Sequence, residues 1–405
     1  MPNNTLEKWE EKTINDVCIV ERGSSPRPIK DFITTDNNGV NWIKIGDCSG
    51  KYVTNTAQKI TQEGAKKSRY VKVGDFIISN SMSYGKPYIL KIDGYIHDGW
   101  FVLRLNNDLV NTDYFYYLLS SNYIREQYDA LATGAIVQNI SSDLIKKVTF
   151  KLPPLQEQQR IVEILDEAFE NIEKAKQNAL QNLNNAKELF ENKSNNIFQN
   201  LLNNSSKIKM SDISDLITKG ASPKWQGFEY CEKSDDSILF ITSENVGKEE
   251  ILLNNRKYLS KDFNDKQKRS ILERGDILTN IVGASIGRTA IFDLEDLCNI
   301  NQAVCLIRLK DKQYAKYITK YMNSYMAIEA MTGMIKDCAR ANVSLTNVAD
   351  LYVPFPDSVE QQKIVAQLDE LQEQTKRLEQ IYEQKIKDLD ELKQSILQKA
   401  FNGEL

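Results

Sequence analysis

Two long stretches of the chain, following residues 153–154 and 354–356, carry apolar residues at helical spacing and contain neither glycine nor proline. Both stretches begin just after prolines, which cannot lie deep inside a helix and so mark the helix starts. In the second stretch, steps of four and three residues alternate over more than four heptads, at Ile364, Leu368, Leu371, Thr375, Leu378, Tyr382, Lys385, Leu389, Leu392 and Ile396. This spacing is typical of a coiled coil.

The first stretch carries a seam rich in small residues, which allow a partner helix to approach closely. Its members are Leu165, Ala168, Ile172, Ala175, Ala179, Leu183, Ala186, Phe190 and Ile197. The sequence therefore predicts two helices that pair as an antiparallel coiled coil, so that the second returns to the domain that the first leaves. The alternative, in which each helix packs only on its own domain, is disfavoured because the helices are too long for a globule of about 150 residues to cover.

The segments that precede the two helices mix short β-rich runs with glycine and asparagine turns. The runs in the first segment lie at 42–45, 76–78 and 101–103, followed by an aromatic helical stretch at 114–119, and those in the second lie at 238–241, 277–278 and 305–307. This texture predicts an α+β globule that is used twice.

An internal repeat joins these elements into one scheme. Four segments recur in the same order: GSSP at 23–26 and GASP at 220–223, GD at 74–75 and at 275–276, EQQRIV at 157–162 and EQQKIV at 360–365, and LDE at 165–167 and at 368–370. The last two recur 203 positions later. The chain is therefore predicted to be a duplicated unit with pseudo-two-fold symmetry.

The predicted fold class is α+β, with two similar α/β domains separated by two long helices. The predicted segments are a globular domain at 1–152, a helix at 153–206, a second globular domain at 207–357 and a helix at 358–405. A length of 405 residues is enough for two or three domains.

Composition narrows the class of protein. Hydrophobic residues make up 41% of the chain, and the formal net charge is −4. No run approaches the roughly 20 apolar residues of a membrane helix, and residues 1–11 do not resemble a secretory signal, so no membrane partner and a cytoplasmic location are expected. Because residues 1–152 hold 19 basic and 17 acidic side chains, non-specific binding to nucleic acid should be weak.

Signatures of catalysis and of metal binding are missing. Six cysteines (Cys18, Cys48, Cys231, Cys298, Cys305 and Cys338) lie far apart without a C-x-x-C pair, and the chain has a single histidine. This pattern predicts free thiols and no metal site. Residues 283–289, GASIGRT, lack the lysine and one spacer residue of a phosphate-binding loop. A turn between strands with a basic tip is the simpler interpretation, and no cofactor and no enzymatic activity are predicted.

Basic residues recur at corresponding places in the two units and are the candidate nucleic-acid contacts. In the first unit they are Arg22, Arg27, Lys30, Lys66, Lys67, Arg69 and Lys86, and in the second they are Lys219, Lys224, Lys266, Lys268, Arg269 and Arg288. A cluster of this kind by itself is more often a solvated face. The recurrence makes a nucleic-acid contact about as probable as that alternative.

Taken together, two globules that alternate with two similar helices resemble the specificity subunit of a type I restriction-modification system. The stretches PPLQEQQRI at 153–161 and KAFNGEL at 399–405 are similar to the most recognisable segments of that family, and the resemblance covers essentially the whole chain. The second hinge departs from the pattern, with PFPDS at 354–358 in place of the double proline.

The resemblance implies a non-catalytic subunit with two target recognition domains, each reading one half of a split, asymmetric site in double-stranded DNA. It also implies that the helices space the domains and dock two copies of a DNA adenine methyltransferase (modification) subunit, and that a restriction/translocase subunit joins the complex. A rival class is a non-enzymatic scaffold that holds two peptide- or glycan-binding domains on a coiled coil. A fused methyltransferase is disfavoured by the missing motifs.

Helix length bears on the expected spacing of the half-sites. A helix from Glu157 to about Asn200 would be about 65 Å long at 1.5 Å per residue. Two domains on one face of a duplex favour separations of whole turns, about 34–36 Å each. A separation of one turn is therefore predicted, since two turns would exceed the helix.

Overall fold

The computed structural model describes residues 9–80, 85–132, 141–333 and 342–405. The chain divides into a first unit, Met1–Leu180 with Gln384–Leu405, and a second unit, Gln181–Glu383. None of the helices within the described residues combines the length and the hydrophobicity needed to cross a lipid bilayer.

The first unit holds twelve strands in its described residues, which are β1 (Glu10–Thr13), β2 (Cys18–Arg22), β3 (Ile33–Thr34), β4 (Val40–Ile43), β5 (Tyr52–Val53), β6 (Gln58–Ile60), β7 (Arg69–Val71), β8 (Phe76–Ser79), β9 (Pro87–Leu90), β10 (Gly94–Ile96), β11 (Trp100–Leu105) and β12 (Thr149–Leu152). Its helices are α1 (Ile14–Val17), α2 (Gln62–Lys66), α3 (Thr112–Leu119), α4 (Asn122–Ala132), α5 (Ser142–Lys147) and the first part of α6 (Leu155–Asn204).

Two five-stranded sheets form the body of the first unit, in the orders β3-β6-β4-β10-β7 and β2-β11-β8-β9-β5. Strand β8 lies between β11 and β9 and is buried along its whole length. A strand covered on both faces needs a continuous apolar run rather than an alternating one, and this explains the FII sequence at 76–78.

The second unit holds nine strands in its described residues, which are β13 (Lys207–Lys209), β14 (Ser214–Lys219), β15 (Ser237–Ile241), β16 (Lys257–Ser260), β17 (Ile277–Asn280), β18 (Thr289–Ile291), β19 (Cys298–Ile300), β20 (Val304–Leu309) and β21 (Tyr352–Pro354). Its helices are the last part of α6, α7 (Met210–Ile213), α8 (Asp262–Lys266), α9 (Ala315–Met322), α10 (Tyr325–Thr332), α11 (Leu345–Ala349) and the first part of α12 (Ser358–Asn402).

The internal topology of the second unit repeats that of the first. The order β14-β20-β17-β18 corresponds to β2-β11-β8-β9, and the order β16-β15-β19 corresponds to β6-β4-β10. In each unit the three-stranded arrangement contains one parallel pair, β4 with β10 in the first unit and β15 with β19 in the second. The predicted α+β class with two similar domains is thus confirmed, and every predicted β-rich run lies in or overlaps a strand.

The two long helices contribute to both units. Within the first unit they run antiparallel: Lys176 of α6 forms an ion pair of 2.7 Å with Asp390 of α12, whereas the earlier Phe169 lies under the ammonium of the later Lys393, 4.8 Å from its ring centroid. Within the second unit, Ile364 of α12 lies in the same core cluster as Phe198 of α6. The predicted packing of the two helices is confirmed.

The seam predicted along α6 is buried or half-buried at every position. The seam predicted along α12 is wrong at three positions beyond Thr375, because Leu378 and Leu392 are 37% and 47% exposed and Lys385 is exposed as well. The half-buried positions are one residue later, at Glu379, Ile386 and Lys393. A straight helix turns every 3.6 residues and drifts about 20° per heptad, so a strict heptad seam does not stay on one face unless the helix supercoils.

Helix α6, at Leu155–Asn204, lies within the predicted segment 153–206 and is longer than the span from Glu157 to about Asn200 on which the predicted spacing rests. It contains 50 residues, or about 75 Å at 1.5 Å per residue. Helix length alone therefore no longer excludes a separation of two DNA turns, about 70 Å.

The recurring EQQ segment starts each long helix through its first glutamine. Gln158 is fully buried and donates from Nε2 to the Pro153 carbonyl oxygen at 2.8 Å. Gln361 donates from Nε2 to the Pro356 carbonyl oxygen, also at 2.8 Å. Both bonds reach back five residues, so the second hinge makes the same contact although its sequence departs from the double proline.

Candidate nucleic-acid interface

The glycine that opens each G-x-S-P segment is required by a close approach of backbone. A Cβ on Gly23 would lie 2.0 Å from the carbonyl oxygen of His97, and a Cβ on Gly220 would lie 1.7 Å from that of Ile300. In each unit the segment therefore lies directly against the turn that leads from β10 to β11 or from β19 to β20. This contact fixes where the basic residues after the glycine are placed.

In the first unit, Asp98 accepts hydrogen bonds from two arginines of this loop. Arg27 Nη2 and Ser25 Oγ donate to the Asp98 carboxylate at 2.9 and 2.7 Å, and Arg22 Nε donates to the Asp98 carbonyl oxygen at 3.2 Å. The hydrogen bond from Ser25, assisted by the charge of Arg27, lowers the pKa of the Asp98 carboxyl group. Arg22 and Arg27 are thus brought together, with part of their charge balanced by Asp98.

Helix α2 brings a second basic cluster to this loop. The ammonium of Lys67 lies 4.7 Å from the ring centroid of Phe32, which belongs to the 3₁₀ turn Ile29–Phe32. A Cβ on Gly64 would lie 2.9 Å from the Phe32 side chain, so the helix rests closely on the turn. The structure therefore joins the cluster around Lys66 to the turn that carries Lys30.

The second unit repeats this arrangement with different residues. The Lys266 ammonium at the end of α8 lies 4.9 Å from the ring centroid of Phe228 and donates to the Gln226 carbonyl oxygen at 3.3 Å. Phe228 in turn packs edge to face on Phe263 of α8, with centroids 5.3 Å apart. The cluster of Lys266, Lys268 and Arg269 is thus joined to the turn that carries Lys224. These four side chains are exposed, as is Lys219 at the end of β14.

Three of the candidate residues either lie away from these two loops or form contacts within the protein. Arg69 forms an ion pair of 2.9 Å with Glu21 and donates to the Arg22 carbonyl oxygen. Lys86 lines a cavity of about 440 Å³ that is also lined by residues of α3, α4, α6 and α12. Arg288 follows Gly287, which has a φ of 87°, just as Lys86 follows Gly85, which has a φ of 79°.

The recurring glycine–aspartate pair supports the fold rather than the interface. Asp276 is fully buried and accepts two hydrogen bonds of 2.8 Å from the Arg308 guanidinium. In the first unit, Asp75 is likewise buried, and its carboxylate lies 3.4 Å from Arg104 Nε. Sequence reasoning missed both arginines, although each directly follows one of the recurring β-rich runs, at 101–103 and 305–307, and lies in the same strand.

The described residues contain no group of three or more His, Cys, Asp or Glu side chains able to hold a metal ion. Five cysteines are free thiols there, and Cys338 lies outside the described residues. Burial raises the pKa of the Cys18, Cys298 and Cys305 thiols to about 12, so these three sulfurs stay protonated at neutral pH.

The two duplicated α+β units on long paired helices match the architecture expected from the sequence for a DNA specificity subunit. The family model described as type I restriction modification DNA specificity domain matches residues 6–182 and again residues 188–388. The chain belongs to this family, and its role is to supply DNA sequence specificity.

Known relatives agree with this assignment. The chain is 26% identical to the type I restriction enzyme EcoBI specificity subunit of Escherichia coli over 326 residues, which cover 75% of this chain and 68% of the relative. It is 22% identical to the type I restriction enzyme MjaVIII specificity subunit of Methanocaldococcus jannaschii over 419 residues, which cover 96% and 90%. The alternative of a scaffold that binds peptide or glycan finds no support among these relatives.

Two solved structures share the fold. One is a chain from a study of complex assembly and conformational transition of the type I R-M system, with a TM-score of 0.75, 20% identity and full coverage of both chains. The other is the HsdS subunit from Thermoanaerobacter tengcongensis, with a TM-score of 0.61, 19% identity and coverage of 100% and 99%.

Proposed function

We propose that this chain is the non-catalytic, DNA-reading subunit of a cytoplasmic type I restriction-modification complex. The domains at 1–152 and 207–357 each read one half of a split, asymmetric site in double-stranded DNA. The helical segments at 153–206 and 358–405 space these domains and dock two copies of a DNA adenine methyltransferase subunit, and a restriction/translocase subunit completes the assembly.

The observation that carries this proposal is one scaffold with two different loops. In both units a lysine ammonium lies over the ring of a phenylalanine that follows the G-x-S-P segment, Lys67 over Phe32 in the first and Lys266 over Phe228 in the second. A shared scaffold suits two half-sites of similar geometry. The different loop residues suit two different base sequences, because hydrogen bonds and apolar contacts to base edges specify sequence while phosphate contacts set position.

The basic residues of the two loops are proposed to contact phosphates. In the first unit these are Arg22, Arg27, Lys30, Lys66 and Lys67, and in the second they are Lys219, Lys224, Lys266, Lys268 and Arg269. Because the net charge of the chain is −4, we expect the isolated chain to bind DNA weakly and with strong salt dependence until partner subunits add positive charge. The chain by itself is expected to turn over no S-adenosylmethionine.

The test is co-expression of the chain with its methyltransferase partner, followed by methylation-aware sequencing of the host genome. The expected result is one bipartite, non-palindromic motif that is methylated only when both proteins are present. The methyltransferase expressed without this chain is the matched control. Methylation of a contiguous motif, or the same motif without this chain, would contradict the proposal.

A further inference from the structure

The most exposed large apolar side chain among the described residues is Trp225, which is 88% exposed. Trp42 and Trp100 are buried in the first unit. Single exposed apolar residues are normal on a protein surface. Tryptophan has the largest apolar side chain, however, and an indole almost wholly in water is a candidate for contact with a partner.

The backbone holds Trp225 in a fixed position. It lies at the centre of the 3₁₀ turn Lys224–Gln226, which begins after the buried Pro223. Gln226 N and Phe228 N both donate to the Pro223 carbonyl oxygen, at 2.9 and 3.0 Å. Gly227 closes the turn with a φ of 81°. A partner that binds the indole therefore does not have to order the backbone beneath it, which reduces the entropy lost on binding.

Basic residues flank Trp225 along the chain and on α8, which packs on the same turn. Lys224 precedes it, and the Lys266 ammonium lies 3.3 Å from the carbonyl oxygen of the next residue, Gln226. The segments 219–233 and 262–270 each contain three basic and two acidic residues. A tryptophan in a protein–protein interface typically lies within an apolar patch. An exposed aromatic ring among basic residues instead suits a surface that contacts DNA, where cations meet phosphates and apolar side chains contact base edges in the grooves.

We propose that Trp225 is a DNA-contacting residue of the second domain, and that its indole makes an apolar contact to base edges in a groove of the half-site that this domain reads. This inference rests on the proposed function. At the corresponding place in the first unit, two residues after the proline of the G-x-S-P segment, the chain carries Pro28. The contact is therefore specific to one half-site and adds to the asymmetry of the whole site.

The test uses the full chain assembled with its methyltransferase partner and a duplex that carries the motif found by methylome sequencing. Trp225→Ala is expected to weaken binding by about 5- to 150-fold, the range for loss of recognition at one base pair. Trp225→Phe keeps a ring and should recover most of the affinity. Tyr352→Ala is the matched control, because Tyr352 is an exposed aromatic residue of the same unit, on β21, and it should bind like the parent complex.

Duplexes scrambled in one half-site at a time give a second readout. The difference between the parent complex and Trp225→Ala should persist when one half is scrambled and vanish when the other is. Equal affinity of Trp225→Ala and the parent would overturn the inference, and so would loss of assembly with the methyltransferase in the absence of DNA, which would make Trp225 a protein contact. If the parent complex itself shows no preference for the motif, the proposed function fails instead.

Discussion

Phe401, near the end of α12, packs edge to face on Tyr114 of α3 in the first unit, with ring centroids 5.4 Å apart and ring planes at 75°. Both side chains belong to the main core cluster of this unit, together with Ala400 and Leu397. The Tyr114 hydroxyl donates to the carbonyl oxygen of Lys151, in the strand that precedes α6. The end of the chain is thus part of the core of its first domain.

The second unit contains the same relationship. Phe198, near the end of α6, packs on Tyr317 of α9 with centroids 6.0 Å apart, and the Tyr317 hydroxyl donates to the Pro354 carbonyl oxygen at 2.7 Å. In the first unit the end of α12 packs on α3, which is hydrogen-bonded to β12, the strand before α6. In the second unit the end of α6 packs on α9, which is hydrogen-bonded to β21, the strand before α12. Each domain core is therefore completed by both helices.

Phe401→Ala should destabilise the first unit by about 3–5 kcal/mol, since it removes a buried aromatic side chain and leaves a cavity. Urea unfolding with a probe in the first unit measures this loss. Leu392→Ala in the same helix is the control and should change the free energy of unfolding far less, by about 0.5 kcal/mol, because that residue is already 47% exposed. Similar losses for the two variants would contradict this assignment of the core.

The revised seam of α12 predicts a second contrast. Leu368 is fully buried, whereas the nominal seam residue Leu378 is 37% exposed. Leu368→Ala is expected to cost about 2–5 kcal/mol of stability, and Leu378→Ala clearly less. A larger loss of stability for Leu378→Ala than for Leu368→Ala would support the strict heptad seam instead.

A buried lysine that pairs with two partly exposed carboxylates in the second unit gives a third prediction. The Lys320 ammonium lies 2.6 Å from the Glu249 carboxylate and 2.7 Å from that of Asp369 in α12, and it is almost completely buried. Lys320→Ala should cost about 1–3 kcal/mol, because it removes the hydrogen bonds of a buried ammonium while the two carboxylates it leaves are partly in water. Lys316→Ala, in the same helix and exposed, is the control for urea unfolding. A negligible loss for Lys320→Ala would mean that water replaces the ammonium.

The basic clusters should act separately on the two half-sites. Lys30→Ala with Lys66→Ala should weaken the contact to one half-site, and Lys268→Ala with Arg269→Ala the contact to the other. Each phosphate contact that is lost should reduce the salt slope of binding by about 1. Lys67, Arg69 and Lys266 are left unchanged, because each makes a contact within the protein and its removal would be a structural change as well.

Lys174→Ala, an exposed lysine on α6 that pairs with Glu170 one turn earlier, is the control for this experiment. Binding is measured for the assembled complex as a function of salt concentration. A double variant with unchanged affinity and unchanged salt slope would identify its cluster as a solvated face.

Sequence reasoning succeeded where the determinants are local or repeated. The apolar runs that became β8 and β17 and the small-residue seam of α6 are legible because burial imposes a period on neighbouring residues. Long-range polar contacts are not: nothing in the sequence pairs Arg69 with Glu21, or Lys266 with the Gln226 carbonyl, 40 residues away. The α12 seam failed for a different reason, since leucines at heptad spacing do not by themselves show which face a straight helix buries.

The last prediction concerns the helices as the ruler of the split site. Inserting four helix-forming residues after Leu180 and four after Glu383, where the two units divide, adds about 6 Å at 1.5 Å per residue. That length is between one and two base pairs at about 3.4 Å each. The number of unread base pairs between the half-sites should grow, while the half-site sequences stay the same, because the loops that read them are untouched.

Both helices must be lengthened, since an insertion in α6 alone would shift its buried seam past that of α12. Methylome sequencing of cells that carry the lengthened chain with its partners measures the outcome, and a chain with only the α6 insertion is the control, expected to lose methylation. An unchanged spacer would mean that the helices do not set the spacing, and altered half-site bases would mean that they take part in reading sequence.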